Sequence, residues 1–281
     1  MIDALATRLA ALAVCGACAG PAVRAGDVPR APELERRFRQ VVGSVFEREG
    51  VAGSFVLHGE AADLRLRFDP ERASRPMPPA STFKIVNSLI ALDEGVVADE
   101  HESMKWDGVA REIDSWNRDQ TLETALQRSA VWYYQELARR IGPERMKLHL
   151  DRVGYGNAVV GDRIDTFWLG GPLEITPDEQ VEFVRRLARG DLPFSRRALD
   201  IVRRILIVEQ SDEFVLRGKT GWSIRPDPDI GWFVGYLTAG GDTWSFALNV
   251  DIAEDGRGRP RQRMTCDILH GLGLIGSAGD R

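Results

Sequence analysis

Hydrophobic and polar residues alternate near both ends of the chain in the way that β-strands require. Residues 53–57 form an apolar run, and apolar and charged positions alternate over residues 64–68, as in strands with one buried face. Gly240-Gly241 predicts a hairpin turn between two of the later runs. Three strand-like runs lie in the C-terminal part, at residues 214–218, 230–238 and 243–251.

The stretch between these strands, from about residue 80 to 210, is predicted to be mainly helical. Thr176 and Glu179 have the spacing of a capping box around Pro177, and apolar residues follow at helical spacing. Residues 262–274 predict a last helix. The fold class is therefore α/β (α+β): an antiparallel sheet formed from the N- and C-terminal parts and flanked by helices, with an inserted all-helical subdomain.

Composition gives no sign of nucleic-acid binding or of a metal site, but it does not identify the function. The 281 residues are 43% hydrophobic, enough for the core of one or two closely packed domains. The net charge is −5, with acidic and basic residues interspersed, so nothing predicts nucleic-acid binding. Four scattered histidines lack metal-ligand spacing, so no metal site is predicted.

The N-terminal residues resemble an export signal. Residues 5–19 are rich in Ala, Leu, Val and Cys but too short to span a bilayer, which predicts a signal peptide within residues 1–25, cleaved after Ala19 or Ala25. The mature domain would be residues 26–281, in the periplasm. Lipoprotein anchoring at Cys15 is the alternative. If the chain is cleaved after Ala19 or Ala25, Cys15 and Cys18 leave with the signal peptide and Cys266 remains alone, which excludes an intrachain disulfide.

The tetrad Ser81-Thr82-Phe83-Lys84 carries the chemical signal. Residues three apart on a helix share a face, so Lys84 can take a proton from Ser81 if its amine is kept neutral. The tetrad alone is a common pattern. It gains weight from Ser129 and from Lys219-Thr220-Gly221, which follow in the order used by penicillin-recognising serine enzymes.

Further motifs make the resemblance more specific. The chain resembles class D, oxacillinase-type, serine β-lactamases from about residue 50 to the C-terminus. That resemblance implies a β-lactamase/transpeptidase-like fold and hydrolysis of penicillins and related antibiotics. The motifs that carry it, besides the tetrad and Lys-Thr-Gly, are Ser129-Ala130-Val131, Tyr155-Gly156-Asn157, Phe167-Trp168-Leu169, Lys105-Trp106-Asp107-Gly108 and the run from Trp116 to Leu122.

The resemblance also implies roles for single residues. Ser81 would be the nucleophile, Lys84 the general base after carboxylation by carbon dioxide, and Ser129 the relay of a proton to the lactam nitrogen. No other cofactor is implied. An N-cap serine at 81 and a helix-surface serine at 129 are the plain structural interpretations.

Substrate-binding residues are predicted in the same way. Lys219 and Thr220 would bind the substrate carboxylate, Gly221 would allow close approach, and the backbone N–H groups of Ser81 and Trp222 would form the oxyanion hole. Arg261 would be a second carboxylate anchor. The apolar surroundings of the lysine would come from Val131, Trp168 and Leu169, with the Trp168 N–H holding the carboxylated amine. The rest of the basic series, Arg257, Arg259 and Arg263, leaves a solvated loop as the alternative.

Other functions stay open at this stage. The same motifs occur in antibiotic-sensor domains that remain acylated and in DD-peptidase-like enzymes, and a binding protein without turnover is a third alternative. Class A and zinc β-lactamases are disfavoured, because the chain lacks Ser-Asp-Asn and clustered histidines. A small-molecule β-lactam is the expected partner, and both a monomer and a homodimer are compatible with the resemblance.

Overall fold

The computed structural model describes residues 31–224, 227–256, 258 and 260–276. The predicted signal peptide lies outside these residues. The helices are α1 (Ala31–Glu49), α2 (Pro70–Ala73), α3 (Lys84–Asp93), α4 (Leu122–Gln127), α5 (Val131–Ile141), α6 (Pro143–Val153), α7 (Pro177–Arg189), α8 (Arg196–Ile205) and α9 (Arg261–Gly271). The strands are β1 (Gly53–Gly59), β2 (Leu64–Phe68), β3 (Ile207–Gln210), β4 (Phe214–Ser223), β5 (Asp229–Ala239) and β6 (Asp242–Ile252).

The strands form one antiparallel sheet in the order β2-β1-β6-β5-β4-β3. Strand β1 pairs with β6 along its whole length, so Phe55 lies opposite Leu248. Strands β5 and β6 form the predicted hairpin, with Ala239 opposite Asp242. The prediction of a sheet built from both ends of the chain is confirmed.

Each face of the sheet contributes to a separate hydrophobic core. Phe55 and Leu57 lie in the core that includes residues of α1 and α9, whereas Val56, between them, lies in the larger core shared with the helical subdomain. This alternation follows from the two-residue period of a strand. Helix α7 packs across β1, β5 and β6 on the subdomain side. The sheet is therefore enclosed between two helical layers, and the subdomain meets it beside β4.

Two of the sequence predictions need correction. Residues 154–176, within the stretch expected to be mainly helical, form no helix, and residues 94–121 of that stretch contain only a short 3-10 turn, Asp114–Trp116. Side chains there bond to nearby backbone instead: Asn117 accepts from the N–H of Arg111 and donates to its carbonyl, which competes with helix formation. Residues 207–210, also expected to be helical, form β3, because β4 supplies a pairing partner.

The other helices and strands agree with the sequence, apart from α1 and α2, which were not predicted. Thr176 accepts from the N–H of Glu179, and Glu179 accepts from the N–H of Thr176, so the predicted capping box is confirmed. The predicted last helix is α9, which begins at Arg261. Within the described ranges, no helix is both long and apolar enough to cross a bilayer, and no group of three or more acidic, histidine or cysteine side chains is placed to hold a metal.

Candidate active site

A strained turn carries Ser81 at the junction between the sheet and the helical subdomain. The 3-10 turn Ala80–Phe83 leads directly into α3, whose first residue is Lys84. Ala80 has a φ of 49°, a conformation that L-residues adopt at a cost. Its N–H donates to the carbonyl of Trp168 over 2.9 Å. The loop around Trp168 therefore holds the turn in place. Ser81 caps neither the turn nor α3, so the N-cap interpretation is wrong.

The tetrad brings its two functional atoms into contact. Lys84 Nζ lies 2.6 Å from Ser81 Oγ. Lys84 is fully buried, whereas Ser81 is partly exposed, so a ligand can reach the hydroxyl but water has little access to the amine. Burial lowers the pKa of Lys84 well below 10.5, and the positive charge of Lys219 lowers it further. A neutral Lys84 amine beside the hydroxyl is the arrangement that a base requires.

Aromatic side chains form the dry wall behind the tetrad. Trp168 is fully buried and stacks on Phe83, with ring centroids 5.1 Å apart. Val131 and Leu169 are partly buried against the same core. The buried indole N–H of Trp168 has no hydrogen-bond partner among the residues that the structure describes. An unused buried donor is rare, and it suits an anionic oxygen, so these residues fit a carboxylated Lys84.

The motif around Tyr155 shapes this wall without contacting Ser81 or Lys84 through any described hydrogen bond. A Cβ on Gly156 would lie 2.0 Å from the carbonyl oxygen of Glu174, and the φ of Gly156 is +53°, so only glycine fits there. Asn157 donates to the carbonyl of Pro172 and accepts from the N–H of Glu174. The motif therefore holds the segment that follows Trp168 and Leu169, which is a structural role.

Ser129 and Lys219 form a second hydroxyl–amine pair. Ser129 lies between α4 and α5 with a φ of 55° and is 8% exposed, so it is not a helix-surface serine. Lys219 Nζ donates to Ser129 Oγ over 3.1 Å and to the carbonyl of Thr220 over 3.0 Å. Burial, followed by the charge of Arg261, lowers the pKa of Lys219 to about 7. Lys219 can therefore take up or release a proton near neutral pH.

Strand β4 passes close beside the turn that carries the nucleophile. A Cβ added to Gly221 would lie 3.0 Å from the carbonyl oxygen of Pro79 and 3.1 Å from Thr82 Cγ2, so glycine permits this approach. The hydroxyl of Ser223, further along β4, donates to the carbonyl of Leu169 over 2.9 Å. Strand β3 pairs only with residues 215–217 of β4. The edge that bears Thr220, Gly221 and Trp222 thus lies beyond the end of β3.

The two described arginines of the basic series have different surroundings. Arg261 is 7% exposed, and its guanidinium lies 5.9 Å from the centre of the Trp222 ring. The Trp222 indole in turn donates to Asp229 over 2.9 Å. Arg263 instead pairs with Glu49 of α1 over 2.8 Å. The structure thus places Arg261 beside β4 and Arg263 away from it; Arg257 and Arg259 lie outside the described residues.

Two residues that the motifs did not include also contact Lys84. The ring centroid of Tyr134 lies 5.3 Å from Lys84 Nζ, and the hydroxyl of Ser88 donates to the backbone carbonyl of Lys84 over 2.7 Å. Ser88 lies four residues after Lys84, so helical spacing was a usable signal for it. Tyr134 sits in a run of aromatic residues on α5 that in sequence looks like ordinary core.

Comparison with known proteins agrees with this geometry. The family model described as "Penicillin binding protein transpeptidase domain" matches residues 60–270. The probable β-lactamase YbxI of Bacillus subtilis (strain 168) is 44% identical over 225 residues, which are 80% of this chain and 82% of that protein. β-Lactamase OXA-48 of Klebsiella pneumoniae is 44% identical over 218 residues, 77% of this chain and 82% of that protein.

Solved structures give the same answer. The crystal structure of the class D β-lactamase YbXI from Nostoc has a TM-score of 0.82 at 44% identity and covers 83% of this chain and 99% of that one. The class D enzyme FUS-1 (OXA-85) from Fusobacterium nucleatum subsp. polymorphum has a TM-score of 0.81 at 37% identity, covering 84% and 98%. The family model names the shared transpeptidase domain, and the relatives narrow it. The chain belongs to the penicillin-binding transpeptidase-domain family and, within it, to the class D β-lactamases.

Proposed function

We propose that this protein hydrolyses the amide bond of β-lactam rings through an acyl-enzyme on Ser81. The observation that carries the proposal is the fully buried Lys84 amine 2.6 Å from a partly exposed serine hydroxyl. Membership of the class D family supports a hydrolase that needs no metal or organic cofactor.

Acylation begins at Ser81. The base at Lys84 removes the hydroxyl proton, Oγ bonds to the lactam carbonyl carbon, and the carbon–nitrogen bond breaks as the ring opens. Ser129, hydrogen-bonded to Lys219, gives its proton to the departing nitrogen and is reprotonated from Lys219. The backbone N–H groups of Ser81 and Trp222 stabilise the oxyanion.

Deacylation needs a base that remains beside the ester. Carbon dioxide bound to the Lys84 nitrogen supplies a carboxylate, which is an effective base at neutral pH. The chain contributes the dry surroundings and the Trp168 N–H, which has no partner in the described part of the chain and favours this group. In this form Lys84 would accept a proton from a water molecule as the water oxygen bonds to the ester carbon. The bond between that carbon and Ser81 Oγ would then break, the proton would pass to Oγ, and the ring-opened acid would leave.

Lys219, Thr220 and Arg261 bind the substrate carboxylate in this proposal. The two cations approach from β4 and from the start of α9, and the charge of Arg261 already affects the pKa of Lys219. A substrate carboxylate placed between them relieves this repulsion, which favours acidic ligands at this edge of the cleft.

The test is steady-state hydrolysis of a chromogenic cephalosporin and of oxacillin, in buffer depleted of carbon dioxide and after bicarbonate is added back. We expect turnover that falls on depletion and recovers. Ser81→Ala should abolish turnover and the covalent adduct in mass spectra. Lys84→Ala should abolish turnover, whereas Lys147→Ala, at an exposed lysine paired with Asp151, should leave it unchanged. One stoichiometric burst without turnover would instead indicate a sensor or a penicillin-binding role.

We also propose export to the periplasm, with a mature chain that begins after Ala19 or Ala25. Sequencing the N-terminus of the protein recovered from periplasmic extracts tests both cleavage sites, and a lipid-modified Cys15 would contradict them. Sedimentation of the purified protein at several concentrations distinguishes a monomer from a homodimer.

A further inference from the structure

The face of the Tyr134 ring lies next to the Lys84 amine. Tyr134 belongs to α5, is fully buried, and has its ring centroid 5.3 Å from Lys84 Nζ. The π-face of an aromatic ring carries negative potential and attracts a cation, and the attraction is stronger where water is excluded. The ring therefore favours the ammonium form of Lys84 over the neutral amine.

Hydrogen bonds fix the ring in this position. The hydroxyl of Tyr134 lies 2.9 Å from Ser88 Oγ, and Ser88 Oγ lies 2.7 Å from the carbonyl oxygen of Lys84. A carbonyl can only accept, so the single proton of Ser88 is committed to Lys84 and Tyr134 must donate to Ser88. Asn87 also donates its amide to the carbonyl of Tyr134 over 3.3 Å. The same lysine is thus contacted at its backbone and at its amine.

The other surroundings of the amine act in the opposite direction. Burial and the charge of Lys219 on β4 disfavour the ammonium form, and Ser81 offers only a neutral hydroxyl. The amine lies over the face of the Tyr134 ring. The ring therefore partly offsets the effect of burial.

Carboxylation makes this balance consequential. The ammonium must first release a proton; the nitrogen lone pair then bonds to the carbon of carbon dioxide, one C–O π pair moves to oxygen, and a second proton leaves the nitrogen. A cation is replaced by an anion, so a group that stabilises the cation raises the concentration of carbon dioxide needed.

We propose that Tyr134 is a positioning residue whose ring face stabilises the ammonium form of Lys84 and so sets the carbon dioxide concentration at which the lysine is carboxylated. This inference rests on the proposed function of Lys84.

The test replaces residue 134 by phenylalanine and by mono-, di- and trifluorinated phenylalanines in the full chain. Fluorine withdraws negative potential from the ring face while nearly preserving its shape. Titration with ¹³C-labelled bicarbonate, followed by the carbamate carbon signal in NMR spectra, gives the half-saturating concentration without any assay of turnover. We expect this concentration to fall stepwise with each fluorine, by about five- to tenfold across the series.

The matched control is the same series at Tyr236, a buried tyrosine of β5 whose ring lies 5.4 Å from the guanidinium of Arg217. Fluorination there should leave the half-saturating concentration within about twofold. A flat series at 134, with a clear carbamate signal in the unsubstituted protein, overturns the role of Tyr134 alone. Absence of the carbamate signal in the unsubstituted protein overturns both this inference and the role of Lys84.

Discussion

Replacing Lys219 by methionine should stabilise the folded protein at neutral pH while abolishing turnover. Burial and the charge of Arg261 lower the pKa of Lys219 from 10.5 to about 7. Each tenfold change in proton affinity is worth about 1.4 kcal/mol, so holding this ammonium in the fold costs about 4–5 kcal/mol. Methionine removes that cost, but the hydrogen bonds to Ser129 and Thr220, worth about 1–2 kcal/mol together, are lost as well.

The difference between the two proteins should change sign with pH. Below pH 7 both the folded and the unfolded lysine are protonated, so the full cost applies and the variant should be more stable by about 3 kcal/mol. Between pH 7 and 10.5 the unfolded chain keeps the proton that the folded protein has released. The stability of the unsubstituted protein therefore rises with pH, and near pH 10 the variant should be the less stable by about 1 kcal/mol. Lys84 contributes a slope of the same sign to both proteins.

Urea unfolding at pH 6.5, 8 and 10 measures these differences. Lys147→Met is the matched control: that side chain is about half exposed and pairs with Asp151, so its effect should stay within about 0.5 kcal/mol at every pH. The argument that the buried Lys219 ammonium destabilises the fold would be refuted by a Lys219→Met protein that is less stable at pH 6.5. The free energy of unfolding of that protein would also have the same dependence on pH as that of the unsubstituted protein.

Three further predictions concern the site. Trp168→Phe keeps an aromatic ring but removes the buried N–H, which has no partner among the described residues. The half-saturating bicarbonate concentration in the NMR titration should therefore rise about tenfold, and an unchanged value would contradict a role for this N–H in holding the carboxylated lysine. Gly221→Ala should lower kcat/KM at least about tenfold, because its Cβ would lie 3.0 Å from the carbonyl of Pro79 and a shift of the strand misplaces the substrate. Arg261→Ala should raise KM for acidic β-lactams about tenfold or more. Arg263→Ala, at an arginine paired with Glu49, should change KM less than twofold. Equal effects would contradict a specific role for Arg261 and favour the alternative of a solvated basic loop.

The sequence predicted the parts of the site that depend on local spacing or on named motifs. Ser81 and Lys84 are three residues apart at a helix start, so their contact follows from helical geometry alone. Ser129 and Lys219 were identified from the order of the motifs. The 3.1 Å contact between them depends on how β4 packs beside the subdomain, which the sequence does not show. Residues that act only through packing were missed.

Tyr134 illustrates why such residues are missed. It lies in the aromatic run that begins α5, and a buried tyrosine on a helix is ordinary core by any sequence criterion. Its position under a lysine amine arises from the packing of α5 against α3. The strand β3 was missed for a related reason: residues 207–210 become a strand because β4 is available to pair with them.

The pairing of β1 with β6 has a consequence for how this protein is made. Gly53 pairs with Val250 and Gly59 with Trp244, so β1, the first strand of the sheet in chain order, can pair with β6 only when almost the entire chain has been synthesised. The helical subdomain can fold early through local contacts. The pairing of β1 with β6 forms last, and the large sequence separation between these strands makes folding slow. Catalytic competence should therefore appear only after synthesis ends, and chains released before β6 is complete should be inactive and open to proteolysis.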